Sequence, residues 1–526
     1  MTSEWTKKCF AFRKKNGETL ADMLEPALQI DPTRIAIHYE GQAISFGELD
    51  QAANRVANGL IGLGVKPGSH VCIHVDNRPE FIYIFFGVMR AGCVLVPTNV
   101  MYTAYEMKHI IEDSGAEALF VIGPLAAKLK DILPELPVLK HVIEVGTPEL
   151  DGSLDFASFC GSSTTDRPDA TARPDDTAII QYTSGTTGKP KGAMVSHANI
   201  LAVLDSVSNL DEGPIVLQDD DVSVLVLPLF HAYALDLILG LSLIHATSLV
   251  LMNRFDTEEV FASFERYKVT LFSGAPPMFH AFVNTPGLEK YDASSLRLVS
   301  SGAAPLPVVL MERFLELTGA QIMEGYGLSE TAPTLSSNAA GKVTKPGSVG
   351  PPIPGVKMRI VDENDVDLPM GEVGEIIAQG PNIFKGYWQR EEETAVAMRG
   401  GWFHTGDMGR VDEDGYYYIV DRMTDMIIVS GYNVYPIEVE NIIMRHPKVM
   451  DCAVIAKADD HQGESVKACV VLKPDVTMEA DEMIAYCLEH LAKFKAPKYV
   501  VFRDSLPKSP TGKVVKRELR ELEGDA

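Results

Sequence analysis

The chain has 526 residues, 46% of them apolar and 23% charged, a globular composition far from that of disordered segments. Lysine and arginine number 47 against 72 acidic residues, a net charge of −25, which repels phosphate backbones and anionic lipid heads and excludes general nucleic-acid or polybasic membrane binding. At roughly 150 residues per domain, this length allows three or four modules, or one large domain with a small one.

In chain order, the N-terminus lacks the apolar core of a signal peptide. Ser45 and Glu48 have the spacing of a capping box, with Ile44 placed as a staple. Leu49, Ala53, Val56, Ala57, Leu60 and Ile61 then follow helical spacing, with Gly64 as the stop. Strands are predicted at 71–75 and 93–97 around a helix at 79–89, and again at 118–122, 142–145, 178–182, 222–227, 248–252, 269–272 and 296–300. Strands spaced by helices predict wound βα units on largely parallel sheets, an α/β fold. Residues 162–176, rich in Pro, Asp and Thr, read as a solvated connector. Residues 232–252 are apolar and long enough to span a bilayer, but they contain Asp236 and His245. The insertion cost of aspartate favours a buried core helix running into a strand. From 350 to 420, short alternating strands at 356–361, 374–378 and 415–420 predict a small antiparallel, barrel-like sheet. A compact α+β segment follows, with strands at 426–429, 453–456 and 468–472 and helices at 437–445 and 478–491. The last four residues match no retention or peroxisomal tag. Seven scattered cysteines without a C-x-x-C pair argue against a disulfide framework or zinc cluster and fit a reducing cytoplasm.

The most informative segment is Tyr182-Thr-Ser-Gly-Thr-Thr-Gly-Lys-Pro-Lys-Gly-Ala-Met194, directly after a predicted strand. Glycines let backbone N–H groups turn inward, hydroxyls donate to phosphate oxygens, and lysines neutralise charge. It is not a Walker A loop, because Thr183 stands where that pattern needs glycine and Pro190 follows Lys189. A plain Ser/Gly turn would explain the glycines but not both lysines and all the hydroxyls.

This loop resembles the signature of adenylate-forming enzymes: acyl- and aryl-CoA synthetases, luciferases and peptide-synthetase adenylation domains. The other motifs of that superfamily occur in the same order: Pro228-Leu-Phe-His231, Ser301-Gly-Ala-Ala-Pro305, Glu324-Gly-Tyr-Gly-Leu-Ser-Glu-Thr331, Gly401-Trp-Phe-His-Thr-Gly-Asp407, Asp421-Arg422, Ser430-Gly-Tyr-Asn433 and Pro507-Lys-Ser-Pro-Thr-Gly-Lys513. Taken singly, Tyr326 or His231 would pass for packing, Asp407 for a turn residue, and Arg422 and Lys513 for surface charge. The order of the motifs is what assigns them.

The resemblance implies a two-step reaction, in which ATP and a carboxylate give acyl-AMP and pyrophosphate, and a thiol, coenzyme A, then displaces AMP. It implies that Ser184, Gly185, Thr186, Thr187, Gly188 and Lys189 cradle the phosphates, with Lys191 nearby. Glu330, helped by Ser184, would hold Mg2+, a hard ion suited to a carboxylate beside phosphate oxygens. Ser329, where the family usually has Thr, keeps a hydroxyl for the α-phosphate, next to Thr331. Adenine would lie between Gly302-Ala303-Ala304 and Tyr326, its amino group read by the backbone at Glu324 and Gly325. Asp407 would accept both ribose hydroxyls, Arg422 would sit near ribose or phosphate, and Lys513 would be the catalytic cation of the first half.

By the same resemblance, His231, Tyr233, Leu235, Met278 and Gly325 line the acyl pocket. Amino-acid-activating domains usually carry Asp at the position of His231, so the histidine argues for an acid without an α-amino group. The implied organisation is an N-terminal adenylation domain, 1–421, a hinge, 422–424, and a mobile C-terminal domain, 425–526. Thr424 stands at the pivot, where the family usually has Lys or Asp, and rotation would turn Ser430, Gly431 and Tyr432 toward coenzyme A. The expected pocket holds no Arg or Lys, which favours an apolar tail over a second carboxylate. The motifs look most like those of bacterial medium- and long-chain fatty-acid CoA ligases. Cyclic and aryl acids stay open, as do a carrier-protein thiol or oxygen as acceptor, a catalytically dead nucleotide binder, and the choice between monomer and homodimer. No nucleic-acid partner and no integral membrane span are expected.

Overall fold

The computed structural model describes residues 19–169, 172–183, 190–208, 217–422, 425–430, 432–459, 463–509 and 512–524. The capping box forms: Glu48 N–H donates to Ser45 Oγ at 3.2 Å and Ser45 N–H to Glu48 Oε2 at 2.8 Å, starting helix Phe46–Gly62. Leu49, Ala53, Val56, Ala57 and Leu60 are fully buried, while Ile61 falls outside that face and is 46% exposed. The helix packs on Pro79–Arg90 at Gly87, where a Cβ would come within 2.4 Å of Val56, so the two backbones approach closely only with glycine there.

The strands assemble into two large, mostly parallel sheets. One runs in the order Leu154–Asp155, His141–Val145, Ala118–Ile122, His70–His74, Val94–Pro97, Thr177–Thr183, Lys191–Ser196, with only the last pairing antiparallel. The other runs Ser336–Ser337, Ile322–Tyr326, Leu298–Ser301, Leu271–Gly274, Val222–Leu225, Ser248–Leu251, Ile35–Tyr39, Gln42–Ser45. Their central residues, such as Ile73, Leu95, Phe120, Val224 and Phe272, are wholly buried, as helices on both faces require. Register matters for the site: Ser300 pairs with Ser273 and Met323, and Ser301 with Glu324, so residues 300–302 and 324–326 leave adjacent strands at their carboxyl ends, where wound sheets bind ligands.

Strands expected at 269–272 and 296–300 begin two residues later, at Leu271–Gly274 and Leu298–Ser301. Val269 N–H instead closes the preceding helix on Phe264 O, and Leu296 N–H closes a turn on Ala293 O. The expected core helix running into a strand over 232–252 is present, its first part a π-helical segment, Tyr233–Leu239, followed by Gly240–Ile244 and strand Ser248–Leu251. Among the described residues, no helix is long and apolar enough to cross a membrane.

The small antiparallel sheet contains four strands, Lys357–Val361, Gly374–Gln379, Phe403–Val411 and Tyr417–Arg422, in that order, and among the described residues it stays open instead of closing into the expected barrel-like form. Phe403–Val411 escaped prediction because Gly406 and Gly409 interrupt its alternation. Beyond it a five-stranded sheet forms the small C-terminal α+β domain, with the long strand Gly463–Leu472 at its centre and Val449–Asp459 paired along it at the edge. The 162–176 connector is tied down in part, since Arg167 pairs with Asp22 at 2.6 Å and with Glu25.

Asp236 is 4% exposed within the π-helical turn, beside a cavity lined by Leu20, Met23, Phe85 and Leu243, and its Oδ1 has no hydrogen-bond partner. Burial pushes its carboxyl up from 3.8 to about 8. The folded state therefore holds a proton that the unfolded chain releases, and this contribution to stability is lost as pH rises from about 4 to about 8, at up to about 1.4 kcal/mol per pH unit. Calorimetry should show the parent losing melting temperature over that window relative to Asp236→Asn; parallel curves would refute the assignment.

Candidate active site

Strand pairing in the four-stranded sheet sets Asp407 opposite Arg422. Arg422 Nε lies 2.9 Å from Asp407 Oδ1, and the Tyr326 hydroxyl donates to Asp407 Oδ2 at 2.6 Å. Asp407 is 4% exposed, yet each oxygen keeps lone-pair capacity for a further donor. Glu375 holds the approach to this strand, accepting from Gly406 N–H at 3.2 Å and bonding His404 Nδ1 at 2.8 Å. Arg399, 3.0 Å from Glu375 and 3.3 Å from Asp365, offsets part of the charge of the cluster formed by Asp365, Glu375 and His404.

Tyr326 ends strand Ile322–Tyr326, and at Gly327 a Cβ would meet Pro333 O at 1.8 Å, so the acidic turn can fold back only behind glycine. The Glu324 side chain points under the 302–306 turn, where Oε1 accepts from Leu306 N–H at 3.0 Å, and burial pushes its carboxyl up to about 7. Ala303 takes a left-handed φ of 69°, with Ala304 half-buried beside it. Ser301 Oγ, Glu324 Oε2 and His231 Nε2 are buried without a side-chain or backbone hydrogen-bond partner.

The acidic turn Ser329–Thr331 presents Glu330, buried, whose Oε1 accepts the Tyr387 hydroxyl at 2.9 Å. Thr331 departs from the nucleotide-binding expectation: it is fully buried and its hydroxyl is committed to the turn, accepting from Leu328 N–H and donating to Leu328 O. Ser329 remains half-buried beside it. Ser184, Gly185, Thr186, Thr187, Gly188 and Lys189 lie outside the described residues, but Thr183 pairs with Lys191 across the antiparallel strands that flank them.

Lys513 arrives from the C-terminal domain on a turn closed by Ser509 N–H to Lys513 O at 2.7 Å. That turn leans on Pro277, which a Cβ on Gly512 would meet at 2.2 Å. Lys513 is exposed by residue surface; desolvation of its ammonium and the Arg422 charge hold its pKa below the ordinary lysine value, against opposing pulls from Asp407 and Asp425. Thr424 and Gly431 lie outside the described residues. Ser430 is exposed, and Tyr432, 61% exposed, stacks on Phe494 at 5.0 Å.

His231 lies two residues before the π-helical segment, its ring 4.6 Å from Phe230, and burial lowers its pKa to about 4, leaving it neutral. Two residues not foreseen from the sequence fix this turn: Asn77 bonds Leu227 O and Leu229 N–H, and Gln181 bonds Phe230 O at 2.6 Å. Both sit in segments without a motif, so only long-range contact reveals them. Tyr233 lies against Gly302, with a hypothetical Cβ 2.9 Å from its ring, and its hydroxyl bonds Ser300 Oγ at 2.9 Å, which in turn bonds Ser273 Oγ at 2.7 Å. Met278 and Gly325 are half-buried. Leu235 belongs elsewhere: the helical turn carries it into the core, 1% exposed, beside Leu20 and Phe85.

A sequence model described as AMP-binding enzyme matches residues 24–388. The chain belongs to the AMP-binding enzyme family. The family's C-terminal domain matches residues 438–513 as well. A long-chain-fatty-acid–CoA ligase of Escherichia coli O6:H1 is 34% identical over 534 aligned positions, covering 96% of this chain and 94% of its own length. A feruloyl-CoA synthase of Amycolatopsis sp. is 37% identical over 497 positions, covering 94% and 97%. The crystal structure of the anthranilate CoA ligase AuaEII with anthranoyl-AMP superposes with a TM-score of 0.91 at 30% identity, covering 96% of this chain and 97% of that one. This AMP-binding enzyme is thus an AMP-forming acid–thiol ligase with a large N-terminal and a small C-terminal domain.

Because the Lys513 ammonium is depressed, it should lose its proton at lower pH than an ordinary lysine. The acid-dependent release of pyrophosphate should fall on the alkaline side accordingly. Lys513→Ala should lower that release by about 100-fold or more, with far less loss in thioester formation from supplied acyl-AMP. Equal loss in both halves would exclude a role confined to the first.

Proposed function

We propose that this AMP-binding enzyme activates a carboxylic acid without an α-amino group to acyl-AMP and transfers the acyl group to coenzyme A. The observation that carries the reading is the Tyr326–Asp407–Arg422 cluster, with Lys513 of the C-terminal domain within electrostatic reach of Arg422 and Asp407. A carboxylate oxygen attacks the α-phosphorus of ATP; the acid–phosphate bond forms, the bond to the bridging oxygen breaks, and pyrophosphate leaves. Lys513 neutralises charge where acid and phosphate meet, Arg422 supports it, and Asp407 takes the ribose hydroxyls. Ser184, Thr186, Thr187, Lys189 and Lys191 receive the outgoing phosphates. In the second half the sulfur of coenzyme A bonds to the acyl carbon, the anhydride C–O bond breaks, and AMP leaves.

A buried carboxylate beside the phosphate-binding strands fits magnesium, which takes one or two carboxylates and fills its shell with phosphate oxygens and water. Glu330 would hold it with help from Ser184, and the bound ion would neutralise triphosphate charge. Residues 1–421 form the adenylating domain and 425–526 the mobile one, turning at 422–424 about Thr424. Rotation brings Ser430, Gly431 and Tyr432 to the coenzyme A arm. A reducing cytoplasm suits the free thiols Cys72, Cys93, Cys160, Cys452 and Cys487.

The acid carries an uncharged tail. His231 is neutral, and Tyr233, Met278 and Gly325 offer no cation to a second carboxylate. A medium- or long-chain fatty acid is the first reading, supported by the motif wording and by the relatives named fatty-acid ligases. An aryl acid is the second, favoured by the Tyr233–Ser300–Ser273 hydroxyl chain, whose polar edge an alkyl chain leaves unused. Pyrophosphate release should be measured with decanoate, palmitate, benzoate, 4-hydroxycinnamate and malonate, with and without coenzyme A. Monocarboxylates should release pyrophosphate and yield AMP and a thioester, and malonate should not. Production of ADP and orthophosphate, or release without thioester, would overturn the reading.

A further inference from the structure

Tyr387 stands outside every motif that the sequence singles out, yet it touches both halves of the phosphate site. Its backbone forms an antiparallel bridge with Ala193, and the neighbouring Trp388 N–H donates to Gly192 O at 2.8 Å and Lys385 N–H to Met194 O at 2.9 Å. Residues 385–388 thereby extend the strand pair that flanks the glycine-rich loop. Lys191 Nζ lies 5.7 Å from the Tyr387 ring. On the other side the chain grips the acidic turn: Phe384 N–H donates to Glu330 O at 2.9 Å, and Asn382 Nδ2 bonds Thr331 O and Thr334 O. The Tyr387 hydroxyl, donating to Glu330 Oε1, is the side-chain link between these two sets of contacts. Its own placement is fixed by its N–H donating to Thr394 Oγ1 at 2.9 Å and by edge packing on Phe384, ring centroids 4.9 Å apart.

We propose that Tyr387 is a positioning residue for the metal-holding carboxylate: its hydroxyl fixes the Glu330 side chain in register with the lysine-bearing strand of the phosphate hairpin. The inference rests on the reading of Glu330 as the carboxylate that holds the divalent ion. A carboxylate with one oxygen pinned by a donor has fewer orientations to lose when it takes an ion, and outer-shell partners of this kind are worth about 10- to 100-fold in metal affinity. Phenylalanine would keep the ring against Phe384 and Lys191 while removing only the hydroxyl.

The test is a Mn2+ titration, followed by the paramagnetic resonance of the free ion, on the full chain with a non-hydrolysable ATP analogue. Four proteins are compared: the parent, Tyr387→Phe, Glu330→Gln and the double variant. Tyr387→Phe should weaken Mn2+ binding by about tenfold, with metal-free nucleotide affinity unchanged and the protein still folding cooperatively. It should also raise the Mg2+ needed for half-maximal pyrophosphate release more than it lowers the rate at saturating Mg2+. The double variant should bind Mn2+ no more weakly than Glu330→Gln, since the hydroxyl acts through that carboxylate. Weakening by Glu330→Gln with none by Tyr387→Phe would overturn the role of Tyr387 alone. Additive losses in the double variant would also overturn it, and unchanged affinity in all variants would overturn the reading of Glu330 and the inference together.

Discussion

The candidate active site is organised around one shared carboxylate. Asp407 accepts the Tyr326 hydroxyl on one oxygen and the Arg422 guanidinium on the other, and these partners come from different sheets. A buried carboxylate is tolerated only when paired, and stripping one partner from such a pair costs about 3–5 kcal/mol. The eight-stranded sheet, the four-stranded sheet and the strand leading into the C-terminal domain are therefore held in one arrangement around Asp407. Its remaining lone pairs face a geometry already set, so little reorganisation is left for a ligand to drive.

The electrostatics of the chain are local where they matter. A net charge of −25 opposes a polyanion at long range. Screening limits that field to about 8 Å at physiological salt, so nearby cations prevail. Arg422 and Lys513 are close enough for the arginine to depress the lysine, a repulsion that an incoming phosphate would relieve. The Lys513 turn also rests on Pro277, the neighbour of Met278, which joins the end of the C-terminal domain to helix Pro276–Asn284 of the large domain.

Around Tyr233 and His231, close packing is combined with internal hydrogen bonding. The contact of Tyr233 with Gly302 leaves no room for a larger residue at 302, and Ser300 and Ser273 satisfy the tyrosine hydroxyl. Asn77 and Gln181 do the same for the backbone of the His231 turn, a buried irregular segment that would otherwise carry unpaired carbonyls.

Local physics made much of this protein readable from its residues alone. The capping box at Ser45, the wound βα order and the motif series through Lys513 were legible because caps, periodicity and short motifs are properties of neighbouring residues. Tertiary structure decided the rest. It turned Leu235 into the core, committed Thr331 to its own turn, and left the four-stranded sheet open, outcomes set by which atoms pack together and not by spacing. Tyr387, Asn77 and Gln181 gained their roles the same way, because a hydrogen bond spanning from 49 to 152 residues leaves no local pattern to read.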